Sequence, residues 1–176
     1  LKTKKISASL PPAVKSLRPT REEFDGFNIA LDRYLSRIDE KETEENHKTH
    51  LIDVLKAVFP AETVIEQHER VDCVIRRGGK ETPPAVLIEA KTQRNLREMI
   101  SETDVNRKAL HEAVLYYMRE RHSGNVSITN VIICSTFEFY IFDAKQFERN
   151  FLNDRNFRSS FSDWLEGRTS DSTTDF

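Results

Sequence analysis

At 176 residues the chain has enough material for one domain with a real core and hardly enough for two. Its 38% hydrophobic and 32% charged residues describe a polar globular protein, and no apolar run is long enough to cross a bilayer. The net charge of −2 excludes a global basic field, though a local basic stripe can coexist with an acidic remainder.

Residues 1–20 read as an arm: scattered Lys and Arg, three prolines, little periodicity and no charged-then-apolar signal segment. Thr20 before Arg21-Glu22-Glu23 is an N-cap with acidic residues in the first turn, and Phe24, Phe27, Leu31, Tyr34, Leu35 and Ile38 recur at helical spacing. This predicts a helix over about 21–38. Asp39 to Glu45 is a charged connector or helix start. A second amphipathic helix carries Leu51, Val54, Leu55, Val58 and Phe59 and stops at Pro60.

From Thr63 the period changes to short β-branched runs, 63–66 and 70–75, then the almost continuous apolar strand Ala85 to Ala90. A helical turn is expected near 95–102, and a long helix capped by Asp104 with Leu110, Ala113, Val114, Tyr117 and Met118 inward. Strands at 130–134 and 137–142 follow, then a helical or irregular segment marked by Phe147, Phe151 and Phe157. The order implies an α/β fold, a mixed sheet with helices on both faces. Cys73 and Cys134 lie in strand-like runs without metal-site spacing. They read as buried free thiols in a reducing compartment, which points to the cytoplasm.

The chemistry concentrates between two of these strands. Asp72 interrupts Val71-Asp72-Cys73-Val74-Ile75, and Glu89-Ala90-Lys91 ends the most apolar strand. Sixteen residues lie between Asp72 and Glu89, enough for the rest of one strand, a turn and the next. Such a hairpin converges two carboxylates and an ammonium. Mg²⁺ is commonly held by only one or two carboxylates, so Asp72 and Glu89, with the Ala90 carbonyl, are candidate ligands. Lys91, two residues after Glu89, points to the same side and could orient a water or neutralise a phosphate. The bland alternative is that Lys91 is simply the salt-bridge partner of two strand-end acids. Buried carboxylates need a metal or a cation in either case.

Asp72 followed by Glu89-Ala90-Lys91 resembles the PD-(D/E)xK nuclease signature, with Val71 where the pattern has Pro. The whole chain resembles the amino-terminal part of type IIG restriction–modification enzymes, in which a nuclease domain precedes an adenine methyltransferase. The matching stretches are Glu42 to Lys48, Arg70-Val71-Asp72, Ile88 to Asn95 with Glu98-Met99, Asn106 to Glu112 running into Leu115-Tyr116-Tyr117, Ile128 to Ile133, and Phe139 to Ala144.

The resemblance implies a restriction-endonuclease-like αβββαβ core with an extra N-terminal helix. It also implies a bacterial or archaeal enzyme that cuts double-stranded DNA with Mg²⁺, or Mn²⁺ in its place, leaving 5′-phosphate and 3′-hydroxyl ends. The nuclease domain would span 21–166. The polar residues 167–176 would begin a linker to methyltransferase and target-recognition domains in the same longer chain, and only that part would use S-adenosylmethionine. No Gly-rich cofactor loop or Asn-Pro-Pro-Tyr motif occurs here. A homodimer is one way such an enzyme could cut both strands.

The family often adds a metal-binding Glu from the first core helix. A rotation of about 100° per residue places Glu44 on the inward face and Glu45 about a third of a turn away. Both also suit a helix N-terminus as an ordinary acidic first turn. Gln93 stands where the family has Pro, a position from which related nucleases touch DNA or water. Arg94 and Arg97 after the active strand, and Arg76 and Arg77 in the turn, could meet DNA phosphates or form an ordinary solvated face. Rival functions are a non-catalytic DNA-binding or interaction module on the same fold and another metal-dependent phosphodiesterase, one acting on RNA for example.

Overall fold

The computed structural model describes residues 1, 4–39 and 43–169. The arm carries two single helical turns, Ile6–Ser9 and Pro12–Ser16, with no buried side chain. Helix α1 (Arg21–Ser36) opens where Thr20 predicts. The Thr20 hydroxyl accepts from the Glu23 N–H at 3.2 Å, and the Glu23 carboxylate accepts from the Thr20 N–H at 2.7 Å, a reciprocal capping box.

The inward stripe of α1 is shorter than its periodicity suggests. Ala30 and Tyr34 are buried and Leu31 and Ile38 pack on the core, but Phe24, Phe27 and Leu35 stay exposed. Phe24 and Phe27 are in phase with the stripe; only the second half of the helix has a core to meet. Helix α2 (Glu44–Val58), capped by Thr43, buries His47 and Leu51 and leaves Val58 exposed at its end. Connector residues 40–42 lie outside the described residues, as does the expected linker from 170 on.

Strands β1 (Val64–His68), β2 (Val71–Arg76) and β3 (Val86–Ala90) form an antiparallel meander. Helix α3 (Lys108–His122) then crosses over, so that β4 (Asn130–Cys134) can join β3 in parallel. Strand β5 (Phe139–Asp143) pairs antiparallel to β4. Among the described residues these make one mixed sheet in the order β1-β2-β3-β4-β5, flanked by helices, as expected.

Alternation sorts the core into two layers. Cys73, Ile75, Ile88, Ala90 and Cys134 face the layer of α1 and α2. Val74, Leu87, Val131 and Ile133 face α3 and the C-terminal helices α4 (Ala144–Phe147) and α5 (Arg155–Leu165). Both cysteines are free and buried. Strands β2 and β3 are buried along their whole length, so their charged residues must be accommodated inside.

Three local readings change. Helix α3 starts at Lys108, and Asp104 instead builds the turn before it, accepting from the Asn106 N–H at 3.1 Å and pairing with Arg107 at 2.7 Å. The turn after β3 is a 3₁₀ helix over Gln93–Glu98. After β5, α4 runs into a π-helical turn, Glu148–Leu152, where the rings of Phe147, Phe151 and Phe157 pack at tilted angles with centroids 5.5 and 5.4 Å apart. Among the described residues no helix is long and apolar enough to cross a membrane.

Candidate active site

The β2–β3 ladder pairs Cys73 with Ile88. Asp72 precedes Cys73 and Glu89 follows Ile88, so the two acids lie at the same end of the ladder, just beyond its last paired residues. The Asp72 carboxylate sits close against β3: its Oδ2 accepts from the Ala90 N–H at 2.8 Å. Asp72, Glu89 and Lys91 are all buried, at 6%, 2% and 4% exposure. Three charges this deep require specific partners.

Lys91 receives a ring of carboxylates. Its Nζ lies 2.7 Å from Glu89 Oε1 and 3.6 Å from Glu98 Oε2, and it donates to Glu112 Oε2 of α3. Lys108 joins from outside, 3.1 Å from Glu98. On the other side of the site, Lys48 of α2 lies 2.7 Å from Asp72 Oδ1 and 3.1 Å from Glu44 Oε1. Glu44 Oε2 accepts from Asn95 Nδ2 at 3.3 Å, which ties α2 to the 3₁₀ turn. Glu44 is thus joined to the site, while Glu45 is exposed.

Among the described residues this connected network joins five carboxylates (Glu44, Asp72, Glu89, Glu98, Glu112) to three ammonium groups (Lys48, Lys91, Lys108). Among the described residues, Glu89 Oε2 is buried and has no hydrogen-bond partner. Leaving such an oxygen unmet costs about 1–3 kcal/mol. Burial, and then the neighbouring Asp72 charge, hold the Glu89 carboxyl well above the usual carboxylate range, against the pull of Lys91. For Lys91, burial alone would favour the neutral amine, but Glu89 and Glu112 outweigh it and raise its pKa. Lys48 is raised in the same way, burial being overcome by Asp72 and Glu44. Both lysines therefore act as cations here, not as free bases.

Among the described residues no group of three His, Cys, Asp or Glu side chains forms a ready metal cage. The residues present do fit the sparser demand of Mg²⁺: two carboxylates from adjacent strands and, among the described residues, an orphaned buried carboxylate oxygen.

Sequence reasoning missed Lys48, Glu98 and Glu112. Lys48 lies four residues after Glu44 and three before the buried Leu51, on the helix face that meets the sheet. Lys108, Glu112 and Tyr116 recur every fourth residue beside the apolar stripe of α3. Tyr116 is half-buried. Its hydroxyl is pushed up by burial and then by Glu89, Asp72 and Glu112, which places it within the field of the site.

The basic residues divide. Arg76 is not available to a phosphate: it is 6% exposed, its guanidinium donates to Glu66 Oε1 at 3.1 Å and to the Thr82 carbonyl, and it meets His68 Nδ1 at 3.0 Å. Arg77 is exposed, but Arg76 and Arg77 stand at the opposite end of β2 from Asp72, roughly 13–17 Å away by strand geometry. The turn therefore does not adjoin the site. Arg94 and Arg97 are exposed on the 3₁₀ turn that leaves Lys91, and Gln93 opens that turn.

A family model described as a domain of unknown function, DUF7149, matches residues 4–176. The chain belongs to the DUF7149 family. No curated protein matches the chain, and no solved structure does.

Proposed function

We propose that the chain is a metal-dependent DNA endonuclease domain, the cutting part of a cytoplasmic restriction–modification enzyme of the type IIG kind. The observation that carries this reading is the meeting of Asp72, Glu89 and Lys91 at one end of β2 and β3, with one buried Glu89 oxygen unpartnered among the described residues. The αβββαβ element order that frames it is the one the sequence resemblance implies.

Asp72 and Glu89 would hold the ion, with Glu44 at the edge of the same network. Bound there, Mg²⁺ would supply a water of lowered pKa and stabilise charge on the scissile phosphate. Lys91, kept charged by Glu89 and Glu112, would neutralise the phosphate and orient the attacking water. Arg94 and Arg97, on the turn next to Lys91, would contact backbone phosphates. Hydrolysis would leave 5′-phosphate and 3′-hydroxyl ends. Methylation and target recognition would belong to other domains of the longer chain.

The test is cleavage of double-stranded DNA by the full-length protein with Mg²⁺ or Mn²⁺, beside Asp72→Asn and Lys91→Ala. Metal-dependent cutting that both variants lose supports the assignment. Cutting that both retain overturns it, and cutting of RNA alone would replace the substrate.

A further inference from the structure

We propose that Lys48 is a built-in stand-in for the divalent ion: its ammonium bridges Asp72 and Glu44, and it must leave Asp72 before a metal ion can bind there. This inference rests on the metal-site reading of Asp72 and Glu89.

The bridge is a built feature. Lys48 and Glu44 lie one turn apart on α2, and the buried Leu51, three residues on, fixes that face against the sheet. The Lys48 side chain is only 14% exposed, and the Asp72 side chain that it meets is 7% exposed. Its Nζ stands 2.7 Å from Asp72 Oδ1 and 3.1 Å from Glu44 Oε1, joining carboxylates from two separate elements. A cation between two carboxylates is what a metal ion would supply there.

Both oxygens of Asp72 are engaged. Oδ2 takes the Ala90 N–H at 2.8 Å, and Oδ1 takes Lys48. The amide belongs to a buried strand and cannot withdraw, whereas the ammonium rides on a flexible four-carbon stem. Lys48 is therefore the group that yields when an ion arrives. Glu89 Oε2, the unpartnered oxygen, is where the ion gains a ligand without displacing anything. In the metal-free protein Lys48 keeps Asp72 neutralised and α2 docked. The cost is a weaker apparent metal affinity, lowered by whatever the Lys48–Asp72 contact contributes.

The test is calorimetric titration of Mn²⁺ into wild type, Lys48→Met, Lys48→Gln and Lys48→Arg, with circular dichroism and melting to confirm that each is folded. Removing the competing charge should tighten Mn²⁺ binding about tenfold in Lys48→Met and Lys48→Gln, the worth of one charge-assisted contact. Lys48→Arg should bind no more tightly than wild type. A measurement on wild type alone needs no variant: the Lys48 side-chain ammonium resonance should shift when Mg²⁺ binds. Equal or weaker Mn²⁺ binding by folded Lys48→Met and Lys48→Gln, or an unmoved Lys48 resonance at saturating Mg²⁺, overturns the role of Lys48 and leaves the metal site standing. No Mn²⁺ binding by wild type or any variant overturns both.

Discussion

Strand β2 buries a charged side chain at each end, Asp72 at one and Arg76 at the other, to the same 6% exposure. Arg76 is closed: Glu66, the Thr82 carbonyl and His68 meet its guanidinium. Asp72 belongs to a cluster that, among the described residues, is not closed, since its neighbour Glu89 keeps one buried oxygen without a partner. Equal burial thus hides different roles. A structural ion is matched by partners until nothing is left over, while a group kept for a ligand carries an unmatched remainder.

The difference can be broken in order of effect. At the open end, Asp72→Asn or Lys91→Ala in the full-length protein should lower DNA cleavage by at least about 10²–10³-fold, as removal of a charge that stabilises the transition state does. The melting temperature of each variant shows whether the fold survives. At the closed end, Arg76→Ala should cost about 3–5 kcal/mol in urea unfolding, because Glu66 and the Thr82 carbonyl lose their buried cation. Folded Arg76→Ala should still bind Mn²⁺.

A smaller effect separates the two ends through pH. Glu89 in the folded, metal-free protein has its carboxyl well above the ordinary value of 4.5. Between the unfolded and folded values the folded chain holds the extra proton. Its stability therefore falls as pH rises through that window, and above both values the whole penalty is present. Lys48 and Lys91 are shifted upward from 10.5, so their contribution is complete at neutral pH and does not enter this window. Glu89→Gln should flatten the fall and leave the metal-free protein at neutral pH as stable as wild type or about 1 kcal/mol more stable. Urea unfolding from pH 4.5 to 8 in a chelator checks it.

The smallest effect concerns DNA affinity. Arg97→Ala, on the turn beside Lys91, should reduce the salt slope of DNA binding by about one, whereas Arg77→Ala at the far end should leave it unchanged. Equal slopes for both variants would remove the basis for placing DNA at the Asp72 end.

Much of this was legible in the sequence because strand periodicity is short-range. Asp72 interrupting one apolar run and Glu89-Ala90-Lys91 ending another were enough to predict that these three residues share one end of the hairpin, and the strand pairing brings them to the same end. Arg76 was misread because a basic residue before a Gly- and Pro-containing turn looks solvated. Only the pairing with β1 brings Glu66 and His68 to it. Lys48 and Glu112 come from helices more than 20 residues from their partners, and a charged residue on an amphipathic helix gives no sign of what it meets. Phe24 and Phe27 show the converse: correct helical phase does not guarantee a neighbour to bury against.

On the reading proposed here, the Asp72–Glu89 end of the sheet is built for a divalent ion. Calorimetric titration of Mn²⁺ tests it without relying on activity. One ion per chain should bind, Asp72→Asn and Glu89→Gln should each abolish the binding, and Arg77→Ala should leave it intact. Absence of binding by wild type at millimolar Mn²⁺, or binding undiminished in both site variants, would contradict the account.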